Sequence, residues 1–194
     1  MVKEQKGFTL IELLVTLLIS SLIMGSAYML LISQARAYGT QEKIVTVTEN
    51  LRSAMEVMTR DIRLAGYKKA GATFTGIATA QKTSIRVLAD FDQDGLLTSP
   101  EEDNTYTWDS TSLVIWKNTA SNTLLENVTD LTITYTLADG SSCGGSTNVT
   151  CSNLSNIRKI TLSITSRASA PDMNGNYHSM TLTSDLTPRN LNFS

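Results

Sequence analysis

The sequence predicts an α+β protein in which one long N-terminal helix packs on an antiparallel β-sheet domain. Three observations predict it. An uncharged, proline-free apolar run fills Leu13 to Ile32. Apolar residues then recur at spacings of three and four as far as Ala65. Beyond Gly71 the pattern changes to strand-like alternation broken by turn dipeptides.

The apolar run is about 20 residues, or roughly 30 Å of helix, enough to cross the hydrocarbon core of a bilayer. The composition of the whole chain conceals this, because its net charge of −2 and ordinary hydrophobic fraction describe two segments suited to different solvents. No basic patch of the kind that neutralises phosphates is present, so no nucleic-acid partner is expected.

The second half of the helix carries one apolar stripe: Ile44, Val47, Leu51, Ala54, Met55, Met58, Ile62 and Ala65. Met55 and Met58 are expected to pack in the core. Gly66, just after the basic Arg60 and Arg63, suits a helix stop, so one helix from Phe8 to Ala65 is predicted, with Gly39 as a soft point between its halves.

Alternation then marks strands at Ile85, Val87 and Ala89, at Leu113 and Ile115, at Leu131, Ile133, Tyr135 and Leu137, at Ile160, Leu162 and Ile164, and at Met180, Leu182 and Leu186. Asp94-Gly95, Asp139-Gly140 and Asn174-Gly175 supply turns. A single antiparallel sheet curled against the end of the helix is expected, with Trp108 and Trp116 packing on it.

Cys143 and Cys151 lie close together with no His or third Cys nearby to complete a zinc site, so a disulfide is expected. Such a bond persists only in an oxidising compartment and contributes about 2.5 kcal/mol on the chain-entropy model.

The segment from Asp90 to Glu101 fits the twelve-residue calcium-loop pattern D-x-D-x-D-G-x5-E. Asp90, Asp92 and Asp94 at alternate positions converge on one cation and Gly95 makes the sharp turn. The Leu96 carbonyl supplies a further oxygen, Thr98 holds a ligand or water, and Glu101 closes the site. An all-oxygen set suits a structural Ca2+ rather than zinc. Its flanks are those of a β-hairpin, with a strand-like run before it and Asn104 to Trp108 after it, not the two helices of an EF-hand.

The N-terminus has the wrong order for a secretory signal, since the basic stretch with Lys3 and Lys6 is followed after Gly7 by an apolar run too long for a signal core. Those lysines favour a cytoplasmic N-terminus and an outward-facing domain. Glu12 is a carboxylate at the start of a membrane helix, a costly position that calls for a functional reason.

Lys6-Gly7-Phe8-Thr9-Leu10-Ile11-Glu12-Leu13-Leu14 resembles the type IV prepilin signal. The resemblance implies a pilin fold, cleavage between Gly7 and Phe8 by a prepilin peptidase, N-methylation of Phe8, and pairing of Glu12 with the terminal amine of a neighbouring subunit during assembly. It divides the chain into a leader (1–7), a transmembrane and assembly half of the helix (8–32), an amphipathic half (33–66) and a β-rich globular domain (67–194).

Looser matches continue along the chain. Glu49-Asn50-Leu51-Arg52, Arg60 through Tyr67, Glu126-Asn127-Val128-Thr129-Asp130-Leu131 and Thr187-Pro188-Arg189-Asn190-Leu191 resemble the W-type (PilW-like) minor pilins, with the J-type minor pseudopilins of type II secretion as the nearest competitor. The resemblance implies a low-abundance subunit that primes filament assembly at the tip, with other minor pilins, the major pilin and an inner-membrane assembly platform as partners. Before assembly the chain would span the inner membrane once, surrounded by lipid, with its domain in the periplasm. Afterwards it would join the extracellular pilus.

Two other classes of function were weighed on the residues. A tip adhesin would use the loops Cys143 to Cys151 and Asp172 to His178. An enzyme has little support, because His178 stands in an Asn/Gly-rich turn and neither a nucleophile elbow nor a zinc-protease helix occurs.

Overall fold

The computed structural model describes residues 7–145, 150–172 and 175–191. The leader lysines Lys3 and Lys6, and Asn174 of the expected Asn174-Gly175 turn, lie outside them. The expected α+β layout is present. A single helix, α1, covers Leu10–Leu64 and is continuous through Gly39. The chain divides into two compact units, one ending at Glu42 and one beginning at Lys43.

In the first unit every described residue from Gly7 to Leu31 is exposed, although the helix is long and apolar enough to cross a membrane. Three of its hydroxyls bond back to the helix itself. Thr16, Ser21 and Ser26 donate to the carbonyls of Leu13, Leu18 and Ile23 at 2.9, 2.8 and 2.8 Å. Folding these hydroxyls back onto the backbone lowers the cost of placing them in lipid.

In the second unit α1 buries Val47, Leu51, Ala54, Met55, Met58 and Ile62, and Ala65 follows just past its end. The stripe matches the sequence expectation except at Ile44, which is 36% exposed. α1 ends where Gly66 adopts φ +84°. A Cβ there would lie 2.5 Å from the Asn190 carbonyl oxygen, and one on Gly76 would overlap Gly66 itself. Glycine is required on both counts, backbone freedom and close approach. The helix end is thereby sealed by the C-terminal segment, whose Leu191 is buried.

The strands form two sheets rather than the one expected. The first joins β1 (Ile77–Ala80), β2 (Ser84–Leu88), β3 (Asp103–Asp109), β4 (Val114–Lys117) and β5 (Thr123–Leu125) as an antiparallel meander. The second has β6 (Val128–Leu137), β7 (Ser142–Gly144), β8 (Ile157–Arg167) and β9 (Ser179–Leu186) in the order β7-β6-β8-β9. The break falls at Glu126-Asn127, where Asn127 takes a left-handed φ of 57°. Its carbonyl accepts the Arg167 N–H at 2.9 Å, so the chain leaves β5 and enters β6 against β8.

Leu113 also departs from expectation. It adopts φ 58° in the turn before β4 and is not a strand residue. Asp109 organises that turn by accepting the Thr111 N–H and the Ser112 hydroxyl.

Both sheets and the second half of α1 contribute to one apolar core, with Ile77, Ile85, Tyr106 and Ile115 from the first sheet and Leu131, Ile133, Tyr135, Ile160, Leu162 and Ile164 from the second. The outer face of β8 and β9 is polar, and its registered pairs Thr161–Asp185, Ser163–Thr183 and Thr165–Thr181 are hydrogen bonded through their side chains. One-sided burial explains the alternation that made these strands legible.

One charge sits in the core-facing stripe. Asp61, 4% exposed, accepts the Tyr106 hydroxyl at 2.6 Å and the Lys117 ammonium at 3.0 Å. Burial first, and then this bond to Asp61, pushes the Tyr106 hydroxyl far above its ordinary pKa. Helix, β3 and β4 are thus tied at one buried point.

Candidate functional site

Two regions carry the chemistry. At the N-terminus, Thr9 is the residue before the first helical turn and Glu12 is the third residue inside it. The Thr9 hydroxyl oxygen accepts the Glu12 N–H at a long 3.4 Å, and its O–H lies 3.4 Å from Glu12 Oε2. The Thr9 carbonyl accepts the N–H groups of Glu12 and Leu13 at 3.1 and 3.2 Å. The T-x-x-E spacing is that of a capping box, a local signal carried by the sequence in addition to the membrane-embedded charge of Glu12. Gly7, Phe8 and Glu12 are all exposed. The carboxylate is held beside the helix N-terminus, where the dipole favours it.

The acidic loop lies between β2 and β3, which pair as the expected hairpin. Asp90, Asp92 and Glu102 bring carboxylate oxygens within 4.8 Å of one another. Glu102, not Glu101, is the inward carboxylate. β3 buries alternate residues, Asn104 and Tyr106, and Glu102 continues that phase while Glu101 falls on the exposed one.

Glu102 is 1% exposed. It draws the loop around itself: Oε1 accepts from Phe91 N–H at 3.0 Å, and Oε2 from the Thr98 and Ser99 N–H groups at 3.1 and 3.0 Å. These bonds, the one from Ser99 foremost, outweigh burial and hold its carboxyl below the usual carboxylate range.

Asp90 is fully buried. Its Oδ2 accepts the N–H groups of Lys69 at 3.2 Å and Gly95 at 3.0 Å. Burial would raise this carboxyl, but the donated backbone bonds, from Lys69 and Gly95 first, prevail and lower it. Asp92 moves the opposite way. The Asp94 N–H lowers it, whereas burial, the charges of Asp94 and Glu102, and the contact with Asp90 together raise it. Opposed shifts of this kind mark carboxyls crowded into one site.

Asp94 stands outside the cluster of three carboxylates, and its Oδ1 accepts the Leu96 N–H at 2.7 Å. Thr98 contributes its N–H to Glu102. The loop is clasped to the segment after α1, since Asp90 N–H donates to the Tyr67 carbonyl at 2.8 Å and Gln93 bonds the Tyr67 hydroxyl.

Cys143 and Cys151 form a disulfide with a Cα–Cα distance of 5.8 Å. It ties β7 to the residue whose N–H donates to the Ala80 carbonyl of β1 at 2.9 Å, so the bond links the two sheets. In the other loop weighed as a contact surface, Asp172 Oδ1 accepts the Asn176 N–H and the Arg167 guanidinium lies 4.5 Å from the Tyr177 ring centre.

The segments that resembled W-type minor pilins meet in this architecture. Asp61 anchors the helix to the first sheet, Glu126 to Leu131 switches the chain between sheets, and Asn190-Leu191 closes on Gly66. A capped apolar N-terminal helix, continued into a helix that packs on antiparallel sheets, defines a type IV pilin-like protein with a helix suited to single-pass membrane anchoring. Residues 2–28 match the prokaryotic N-terminal methylation motif. Residues 40–190 match prepilin peptidase-dependent protein B, and the chain belongs to that family. No individual curated protein matches it significantly.

Proposed function

We propose that the chain is a minor subunit of a type IV pilus, cut after Gly7 and methylated on Phe8 by a prepilin peptidase, that helps initiate assembly and is incorporated at or near the filament tip. The observation that carries this reading is the wholly exposed apolar part of α1 from Leu10 to Leu31 with the Glu12 carboxylate in its first turn. Such a surface needs lipid first and the helices of other subunits later. Cleavage leaves a positive amine on Phe8, and in a low-dielectric filament core an amine of one subunit and Glu12 of the next attract strongly enough to set axial register.

The leader lysines and the disulfide support a cytoplasmic N-terminus and a domain in the periplasm. The partners are then the inner-membrane assembly platform, other minor pilins and the major pilin.

Intact-mass spectrometry of the membrane-extracted chain tests the first step. Loss of Met1 to Gly7 and a single added methyl are expected, and an uncut chain sinks the proposal. In a deletion strain, pilus number should fall while protein secretion continues. Reintroduced Glu12→Ala should be cleaved normally yet fail to restore pili. Normal piliation with failed secretion would instead assign the subunit to a type II secretion machine.

A further inference from the structure

We infer that the loop between β2 and β3 is a binding site for one Ca2+ ion, held by Asp90, Asp92 and Glu102, with Glu101 outside the ligand set.

The convergence of three carboxylates within 4.8 Å is the starting point. An independent observation concerns Asp90 Oδ1. It is buried in a fully buried residue and has no hydrogen-bond partner, while Oδ2 of the same carboxylate takes two backbone N–H groups. A buried anionic oxygen without a donor is costly unless a cation meets it. Among the described residues no Lys or Arg nitrogen forms an ion pair with Asp90, Asp92 or Glu102. The missing charge must therefore come from solution.

The donor chemistry selects the ion. All donors are oxygens on a loop shaped by its own backbone, which favours Ca2+, whereas Mg2+ demands a near-ideal octahedron. The Leu96 carbonyl and Thr98 are within the same loop and, with water, can complete the shell. A cleft lined by Phe91, Asp92, Ser99, Pro100, Glu101 and Glu102 opens beside the cluster and gives the ion a route in. Because Asp90 also holds Lys69 N–H and the loop bonds Tyr67, an ion here would stiffen the chain where it leaves α1. This inference stands apart from the pilus proposal, since the domain could hold Ca2+ whichever machine uses it.

Full-length protein in detergent micelles, stripped with chelator, is titrated with CaCl2 and separately with MgCl2 by calorimetry. One Ca2+ per chain is expected, with a Kd of about 10⁻⁴–10⁻³ M as in extracellular modules, and Mg2+ at least about tenfold weaker. Asp92→Asn and Glu102→Gln should each weaken Ca2+ at least about tenfold, and Glu101→Gln should leave it unchanged. Circular dichroism checks that each variant folds. Should Glu102→Gln fail to fold, Asp92→Asn, at an exposed residue, decides. The inference is overturned if the wild type takes up no saturable Ca2+, if Asp92→Asn binds as the wild type does, or if Glu101→Gln loses the ion while Glu102→Gln keeps it.

Discussion

Met24 and Met58 belong to one helix and have opposite environments, the first 76% exposed and the second fully buried. The same contrast holds for Leu22 at 66% and Leu51 at 1%. From Leu10 to Leu31 the apolar residues of α1 are exposed among the described residues, and beyond Lys43 similar residues complete a core. Helix propensity and hydrophobicity are common to both regions; what differs is who supplies the covering surface. Substitutions in the first region should therefore register in association with lipid and other subunits, and substitutions in the second in the unfolding of the chain itself.

The largest expected effect lies in the second region. Asp61→Ala strands the Lys117 ammonium and the Tyr106 hydroxyl, and breaking a buried pair this way costs about 3–5 kcal/mol; thermal unfolding in detergent would reveal it. A drop no larger than that of an exposed substitution would show that water replaces the carboxylate and that the helix is not pinned there.

The methionine pair tests the contrast directly. Met58→Ala should lower unfolding stability by about 2–5 kcal/mol through transfer and cavity terms. Met24→Ala should leave the unfolding midpoint of the domain unchanged. If both shifted it equally, the apolar half of α1 would have intrachain partners after all.

Next in size is the disulfide. Replacing Cys143 and Cys151 with Ser should cost about 2.5 kcal/mol, or a fall of roughly 5–10 °C in Tm for a domain of this size. Piliation should then fall most where the domain is already weakened by heat.

The smallest expected effect is at the first turn. Thr9→Ala removes the cap, costing about 1 kcal/mol. Amide hydrogen exchange at Ile11 to Leu13 should quicken by a factor of about five, with the domain's melting unaffected. An altered domain Tm would show that the two regions are not energetically separate.

The sequence made local patterns legible and left long-range ones hidden. The α1 stripe repeats at helical spacing over many turns, and β6 and β8 alternate because each has one buried face, so both could be read. β1, β5 and β7 are only three or four residues long and rich in Thr, Ser or Gly, which provides too few positions for any period to emerge. Division into two sheets depends on pairings such as Val128 with Ser166, a contact with no local signature.

The acidic loop shows the same boundary at single-residue scale. Its D-x-D-x-D-G start was visible, but the choice between Glu101 and Glu102 rests on the phase of β3, which is fixed by Tyr106 reaching Asp61. Asp61 itself was detectable as a charge on an apolar stripe. Its partners, Tyr106 and Lys117, were not, since they lie on strands far along the chain. The T-x-x-E of the first helical turn, by contrast, is a local pattern, legible within four residues and overlapping the prepilin signal.

The sealing of Gly66 by Asn190 and Leu191 has a consequence for biosynthesis. Asn190 and Leu191, which close the end of α1, are made long after the helix itself, and β9 precedes them only narrowly. Until these residues emerge from the ribosome, the far end of α1 stays open and the second sheet lacks a strand. The domain therefore completes its fold only once synthesis has passed Leu191, and a nascent chain truncated before β9 would keep its core unfinished and exposed to proteases.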